Sequence, residues 1–405
     1  MKNKLVEKFD HFGRGIIKDN GKTIFVRNAV AGDIVDIDLT KNKKTISEAI
    51  IKKIVKPSPL RVKSPCSYSD LCGGCSLLNI SYIESLKYKE NRLKEIISKF
   101  AKINIKINPI IESNEFNYRN KITLHIKDKK IGLYKYNSNE LIEIDNCMLV
   151  DEKINNIIKK IKSFIKEKPN NLEEVMIRVF NNKDLIHFKG KVEKKLLKNY
   201  FKDSYSLWLN NELLIGDKNL IVDFLDYKFV LSKEAFFQVN IDIASKIFNY
   251  IRNYIKDKKY KKALDLYCGV GVIGIFISPF VEEVIGIEIV ENAVKNANVN
   301  KKLNKINNIS FITGKVENHI NKFKDIDLVV VDPPRSGLDK NTINNIISIK
   351  PKEIIYVSCD AITLARDLNL LNEFYNIKEI TPFDMFPNTY HVECISVLER
   401  KNVEK

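Results

Sequence analysis

The segment that most restricts this chain is Ala263-Leu-Asp-Leu-Tyr-Cys-Gly-Val-Gly-Val-Ile-Gly-Ile-Phe-Ile277. Apolar, strand-prone residues run into Gly269, Gly271 and Gly274, and a helix start follows. The G-x-G-x-x-G spacing is that of a tight strand-to-helix turn whose backbone can approach a ligand closely. Strand-like and helix-like runs alternate from there to the end, which predicts a doubly wound α/β domain. In such sheets ligands bind at the carboxyl ends of the strands. Three further strand-like runs end in chemistry: 283–288 in the acid Glu288, 326–331 in Asp332-Pro-Pro, and 354–357 in Ser358-Cys359-Asp360.

The glycine turn alone fits a dinucleotide or S-adenosylmethionine, and Glu288, placed to hold a ribose, fits both. Two features separate them. Asp265 inside the first strand is usual in class I methyltransferases and unusual in nicotinamide folds. Asp332-Pro-Pro sets a carboxylate and two rigid, donor-free residues at the pocket, a methyltransferase signal with no place in hydride transfer. Arg335 stands after the prolines, where enzymes that methylate exocyclic amines prefer an aromatic residue. Cys359 is a candidate nucleophile; the competing reading is a small core residue.

A chain of 405 residues has room for two or three domains. It contains no apolar run long enough to span a bilayer and no signal-peptide core, so a soluble, cytoplasmic protein is expected. The net charge of +17 suits a polyanionic partner such as RNA or DNA; a genome-wide bias toward Lys, Ile and Asn would produce the same excess. Residues 1–56 alternate short strand-like runs with Gly15, Gly21 and Gly32, the pattern of an OB-like β-barrel. Lys56-Pro-Ser-Pro59 reads as a linker. Residues 57–230 read as a central α+β domain, and 231–405 as the cofactor-binding domain. In the central part Tyr118, Arg119, Lys121, Tyr134, Lys135 and Tyr136 mix aromatic and basic groups that suit RNA or a plain solvated face.

The seven cysteines are unevenly placed. Cys66-x5-Cys72-Gly-Gly-Cys75 puts three thiols around two glycines, and Cys147 is the remaining one outside the last third. Four thiolates fit an iron–sulfur cluster or zinc. The spacing is neither the paired Cys-x2-Cys of zinc ribbons nor the tight set that leaves one iron open. A closed structural [4Fe–4S] site is the reading taken, zinc the second, unligated core cysteines the third.

With Asp332-Pro-Pro-Arg-Ser-Gly-Leu, Val357-Ser-Cys-Asp and His391-Val-Glu-Cys-Ile-Ser-Val-Leu in order, the chain resembles the RNA (uracil-5-)-methyltransferase family over nearly its whole length. It is most similar to the branch with an N-terminal TRAM domain and an iron–sulfur cluster that methylates 23S ribosomal RNA. The resemblance implies cluster ligands at Cys66, Cys72, Cys75 and Cys147 and S-adenosylmethionine contacts at Gln238, Tyr267, Glu288 and Asp332. It implies a nucleophile at Cys359 and a base at Glu393, acting through a covalent Cys–C6 adduct. Valine at 272 departs from relatives whose asparagine contacts the cofactor. A solvent-facing edge position is the competing reading of Glu393. A monomer that acts on RNA without membrane contact is expected. Rival readings are a tRNA uracil-C5 methyltransferase, a catalytically inert RNA-binding or assembly protein, and an iron–sulfur oxidoreductase.

Overall fold

The computed structural model describes residues 1–402. Its first unit is a six-stranded sheet in the spatial order Lys4–Leu5, Ile34–Asn42, Ile46–Lys56, Lys22–Val26, Gly15–Asp19, Lys8–Phe9. Along Ile34–Asn42, Val35 and Ile37 turn inward while their neighbours face out, the period-2 pattern of a half-buried strand. They meet Val6, Ile17, Ile24, Val26 and Ala49 in a small separate core. The segment after Lys56, read as a linker, is pinned to this unit. Buried Asp33 accepts the Ser58 N–H at 2.9 Å and pairs with Arg61 at 2.6 Å.

The central unit is a seven-stranded sheet packed on the helix Glu152–Glu167. Ile154, Ile157, Ile158, Ile161 and Ile165 recur at helical spacing and form its buried stripe. The strand expected from Phe116 starts at Lys121 instead. Asn117, at φ 55°, breaks the extended run and turns Tyr118 into the interior. Tyr118 therefore belongs to packing rather than to an RNA face.

The last unit is the expected α/β domain. Its strands are β1 (Tyr260–Leu266), β2 (Val281–Glu288), β3 (Ile309–Thr313), β4 (Leu328–Val331), β5 (Glu353–Ser358), β6 (Tyr375–Phe383) and β7 (Glu393–Arg400). They lie in the order β3-β2-β1-β4-β5-β7-β6. The first five are parallel, and β7 enters antiparallel between β5 and β6. Every residue of β4 and β5 is buried, as expected of strands covered on both faces. The order reverses between β1 and β4, and the crevice there is the natural ligand position.

Two pieces of earlier sequence pack on this domain. The hairpin Leu220–Phe224 with Tyr227–Leu231 shares its core on one side. The helix Tyr82–Ile96 adds Leu86, Leu93 and Ile96 to the core on the other. Among the described residues, no helix is long and apolar enough to cross a membrane.

Candidate active site

The carboxyl edge of the last sheet gathers the polar groups. Gly271 sits at φ +81°, and a Cβ there would lie 2.6 Å from the Phe311 ring, so only glycine fits. Asp265 on β1 is fully buried and accepts the Gly274 N–H at 2.8 Å, fixing the turn. Its other oxygen has no partner, and burial pushes the carboxyl up to about 8. Glu288, at the end of β2, accepts from Gly269 at 3.1 Å and Val290 at 2.8 Å. Tyr267 is held at φ 64°, a left-handed conformation that costs a non-glycine residue about 1–3 kcal/mol. Gln238, Tyr267, Glu288 and Asp332 all line one cavity of about 770 Å³. Burial pushes the Asp332 carboxyl up to about 7.

The register of β5 and β7 decides what meets beside that cavity. Ser358 pairs with Cys394, so the next antiparallel step sets Cys359 opposite Glu393. Cys394 points the other way into the core and is fully buried. Burial first, then Glu393 and Asp332, push the Cys359 thiol up to about 11, with Arg335 opposing them. Buried Glu393 is raised well above the ordinary carboxylate range by burial first and Asp332 second, again opposed by Arg335. Asp360 caps the helix Ala361–Leu371, accepting from Ile362 and Thr363 at 3.0 Å each. Cys359 thus lies just before a helix N-terminus, whose dipole favours a thiolate. The electrostatic role of exposed Arg335 has no sequence signal beyond its place after the prolines.

The loop from Asp384 to His391 carries the chain into Glu393, and donors from distant sequence hold it. The carbonyl of Met385 accepts from Asn240 at 3.2 Å, that of Phe386 from Lys89 at 3.0 Å, and that of Pro387 from the Tyr118 hydroxyl at 3.1 Å. The Asn388 carbonyl accepts the N–H groups of Ser76 and Leu77 at 3.0 and 3.1 Å. The Tyr390 carbonyl accepts from Arg92 at 3.2 Å. Lys89 also pairs with Asp384, both fully buried. Sequence reasoning missed this role. The signal was a lysine lying on the apolar face of Leu86 and Leu93.

Cys66, Cys72, Cys75 and Cys147 line a second cavity of about 490 Å³. All four are half-buried and free. Burial pushes the Cys75 thiol far up, and Cys147, Cys72 and Cys66 add to it. Cys72 and Cys147 are also raised, chiefly by burial. Among the described residues, no three or more His, Cys, Asp or Glu side chains are gathered tightly enough to hold one metal ion. Arg27 of the first unit reaches this loop, donating to the carbonyl of Leu71 at 3.3 Å and to that of Cys72, and stacks on Tyr136. Exposed Phe236 lines both this cavity and the one beside Glu288 and Asp332.

The tRNA (Uracil-5-)-methyltransferase family model matches residues 205–401. A Clostridium tetani protein described as an uncharacterized RNA methyltransferase is 33% identical over 95% of this chain and 93% of its own length. This chain belongs to the RNA (uracil-5-)-methyltransferase family. An Aquifex aeolicus RNA methyltransferase is also 33% identical, over 99% of this chain and 100% of its own. Among solved structures, the Pyrococcus abyssi tRNA (uracil-54, C5)-methyltransferase in complex with S-adenosyl-L-homocysteine is similar. Its TM-score is 0.78 at 27% identity, covering 98% of this chain and 99% of that one. As an RNA (uracil-5-)-methyltransferase, this chain uses S-adenosylmethionine and acts on RNA.

Proposed function

We propose that this protein methylates uridine C5 in 23S ribosomal RNA through a covalent adduct between Cys359 and uracil C6. The observation that carries the mechanism is the register of β5 and β7, which sets a thiol opposite a buried carboxylate beside Asp332. Uracil C5 is a poor nucleophile until C6 is attacked. The Cys359 thiolate adds to C6, and the ring electrons move onto C5 and O4 as an enolate. Gln238, Tyr267, Glu288 and Asp332 would hold S-adenosylmethionine, whose methyl group C5 would take as the methyl–sulfonium bond breaks to leave S-adenosylhomocysteine. Glu393 then removes the C5 proton, the C5–C6 double bond re-forms, and the Cys359 sulfur leaves with the electrons of the C6–S bond. Burial makes Glu393 a stronger base for this step.

The four cysteines support an iron–sulfur cluster over zinc. The four thiols line one cavity, and their spacing in sequence is not the paired Cys-x2-Cys of zinc ribbons. A cubane offers four separate corners to four ligands. We assign them a closed, structural role.

Ribosomal RNA is favoured by the combination of an N-terminal β unit, read as a TRAM domain, with a four-cysteine loop. The bacterial tRNA-modifying relatives it resembles typically lack both. Transfer RNA is the second reading. The Pyrococcus abyssi tRNA (uracil-54, C5)-methyltransferase is similar to this chain over nearly its whole length, so the N-terminal unit alone does not choose. Mapping 5-methyluridine in ribosomal and transfer RNA from cells with and without this gene tests the assignment. A site lost from 23S ribosomal RNA is expected; loss confined to transfer RNA would replace it.

A further inference from the structure

The turn between Lys8–Phe9 and Gly15–Asp19 in the first unit packs against Tyr390, in the segment that leads into Glu393. Its position is fixed. The Tyr88 hydroxyl donates to the Asp10 carbonyl at 2.7 Å, and Phe9 meets the Tyr88 ring edge-on at 5.4 Å. Gly13 packs so closely on Leu77 that a Cβ would lie 2.9 Å from it. At the tip Phe12 is 47% exposed. Its ring stands edge-on to Tyr390, centroids 5.3 Å apart. Tyr390 in turn lies 4.0 Å from His391, and His391 meets Phe386 at 5.8 Å. His391 is two residues from Glu393, and its ring nitrogen lies 3.4 Å from Arg335, the cation that acts on both Cys359 and Glu393.

A single exposed phenylalanine is ordinary. This one differs because it ends a chain of ring contacts that reaches His391 and, through it, Arg335. Arg14 lies over the Phe12 ring at 5.4 Å and over Phe25 at 4.4 Å, and pairs with Asp10 at 2.7 Å, so the tip is braced from below. Among the described residues Arg335 makes no ion pair, and it is exposed. Burial, then the nearby Arg335, Lys89 and Arg92 charges, lower His391 to about 4, so at neutral pH it presents an uncharged ring. Neighbouring aromatic rings with an adjacent guanidinium that pairs with no carboxylate among the described residues suit nucleobases and phosphate, the pairing used by single-strand-binding surfaces.

We propose that Phe12, Tyr390 and His391 form a stacking shelf for an unpaired nucleobase beside the target uridine, with Arg335 taking the phosphate between them. This deepens the proposed function and rests on RNA being the substrate. The shelf couples the first unit to substrate choice at the catalytic pair: it holds a neighbouring base open while the target enters the site.

A short single-stranded oligouridylate carrying one 2-aminopurine tests this by direct binding. Stacking on the shelf quenches 2-aminopurine fluorescence when the wild-type protein binds. Phe12→Ala is expected to lose most of the quenching and about tenfold in affinity, while Phe12→Tyr keeps both. S-adenosylmethionine binding and the melting temperature should be unchanged in both variants, because Phe12 is exposed. Wild-type protein that binds without quenching, or Phe12→Ala that binds and quenches like wild type, overturns the shelf. Quenching that depends on Phe12 in a protein that transfers no methyl group to any uridine keeps the shelf and overturns the uridine assignment.

Discussion

The thiol of Cys359 sits in an environment that resists its ionisation. Burial, Glu393 and Asp332 hold it near 11, and Arg335 with the following helix N-terminus works the other way. Glu393 is raised by the same surroundings. In the proposed mechanism both groups work ionised, and both reach that form only as pH rises. The free enzyme's kcat/KM should therefore climb about tenfold per pH unit from neutrality into the alkaline range. Arg335→Gln removes the nearby cation and should displace the profile to higher pH. A kcat/KM that is flat above neutral pH in wild type would show that the Cys359 thiol is already ionised in the free enzyme. Glu393→Gln tests the other half of the pair. The amide cannot take the C5 proton, so turnover should fall about 10²–10⁴-fold. A methylated protein–RNA adduct should accumulate and be visible as a shifted band on a denaturing gel. Cys359→Ala should give neither product nor adduct while still binding RNA.

At the scale of elements, the loop before β7 depends on a helix from far upstream. Lys89 and Asp384 are both fully buried and meet at 2.5 Å, and Lys89 also holds the Phe386 carbonyl. Lys89→Met alone leaves a buried carboxylate uncompensated and should cost about 3–5 kcal/mol in urea unfolding. Adding Asp384→Asn removes the charge and should recover much of that loss, a coupling that a double-mutant cycle measures. Simple additivity of the two changes would rule out the pair as the unit of support. This element also marks where sequence reading stops. The glycine turn, β4 with Asp332-Pro-Pro and β5 with Cys359 are legible because each is a local pattern of apolar run, glycine and proline. The apposition of Cys359 and Glu393 is set by a register across β5 and β7, and the loop's carbonyls find donors as distant as Ser76 and Asn240. No local period encodes such pairings. The same limit explains Ser58 and Arg61, whose Pro-rich setting reads as a linker until Asp33 is seen to bind them.

Across the whole molecule, the four-cysteine loop stands between the first unit and the catalytic loop. Arg27 grips its carbonyls on one side, and Ser76 and Leu77, directly after Cys75, hold Asn388 on the other. A group bound by the four thiols would stiffen a segment that both neighbours lean on. Ligation requires deprotonated sulfur, while burial raises Cys72, Cys75 and Cys147 above their ordinary range. Protein purified without oxygen should carry about four irons with matching acid-labile sulfide. Acidification should release them, because each thiolate lost to a proton is a ligand lost. Cys75→Ser should lose the iron and the visible absorption that accompanies it. It should also melt at lower temperature, since a group bound only by the folded state stabilises it. Amide exchange should then quicken at Ser76 and Leu77, the donors to Asn388, more than in the distant strands β2 and β3. Stoichiometric zinc in place of iron would overturn the cluster, and unchanged exchange at Ser76 and Leu77 would confine the cysteines to their own loop.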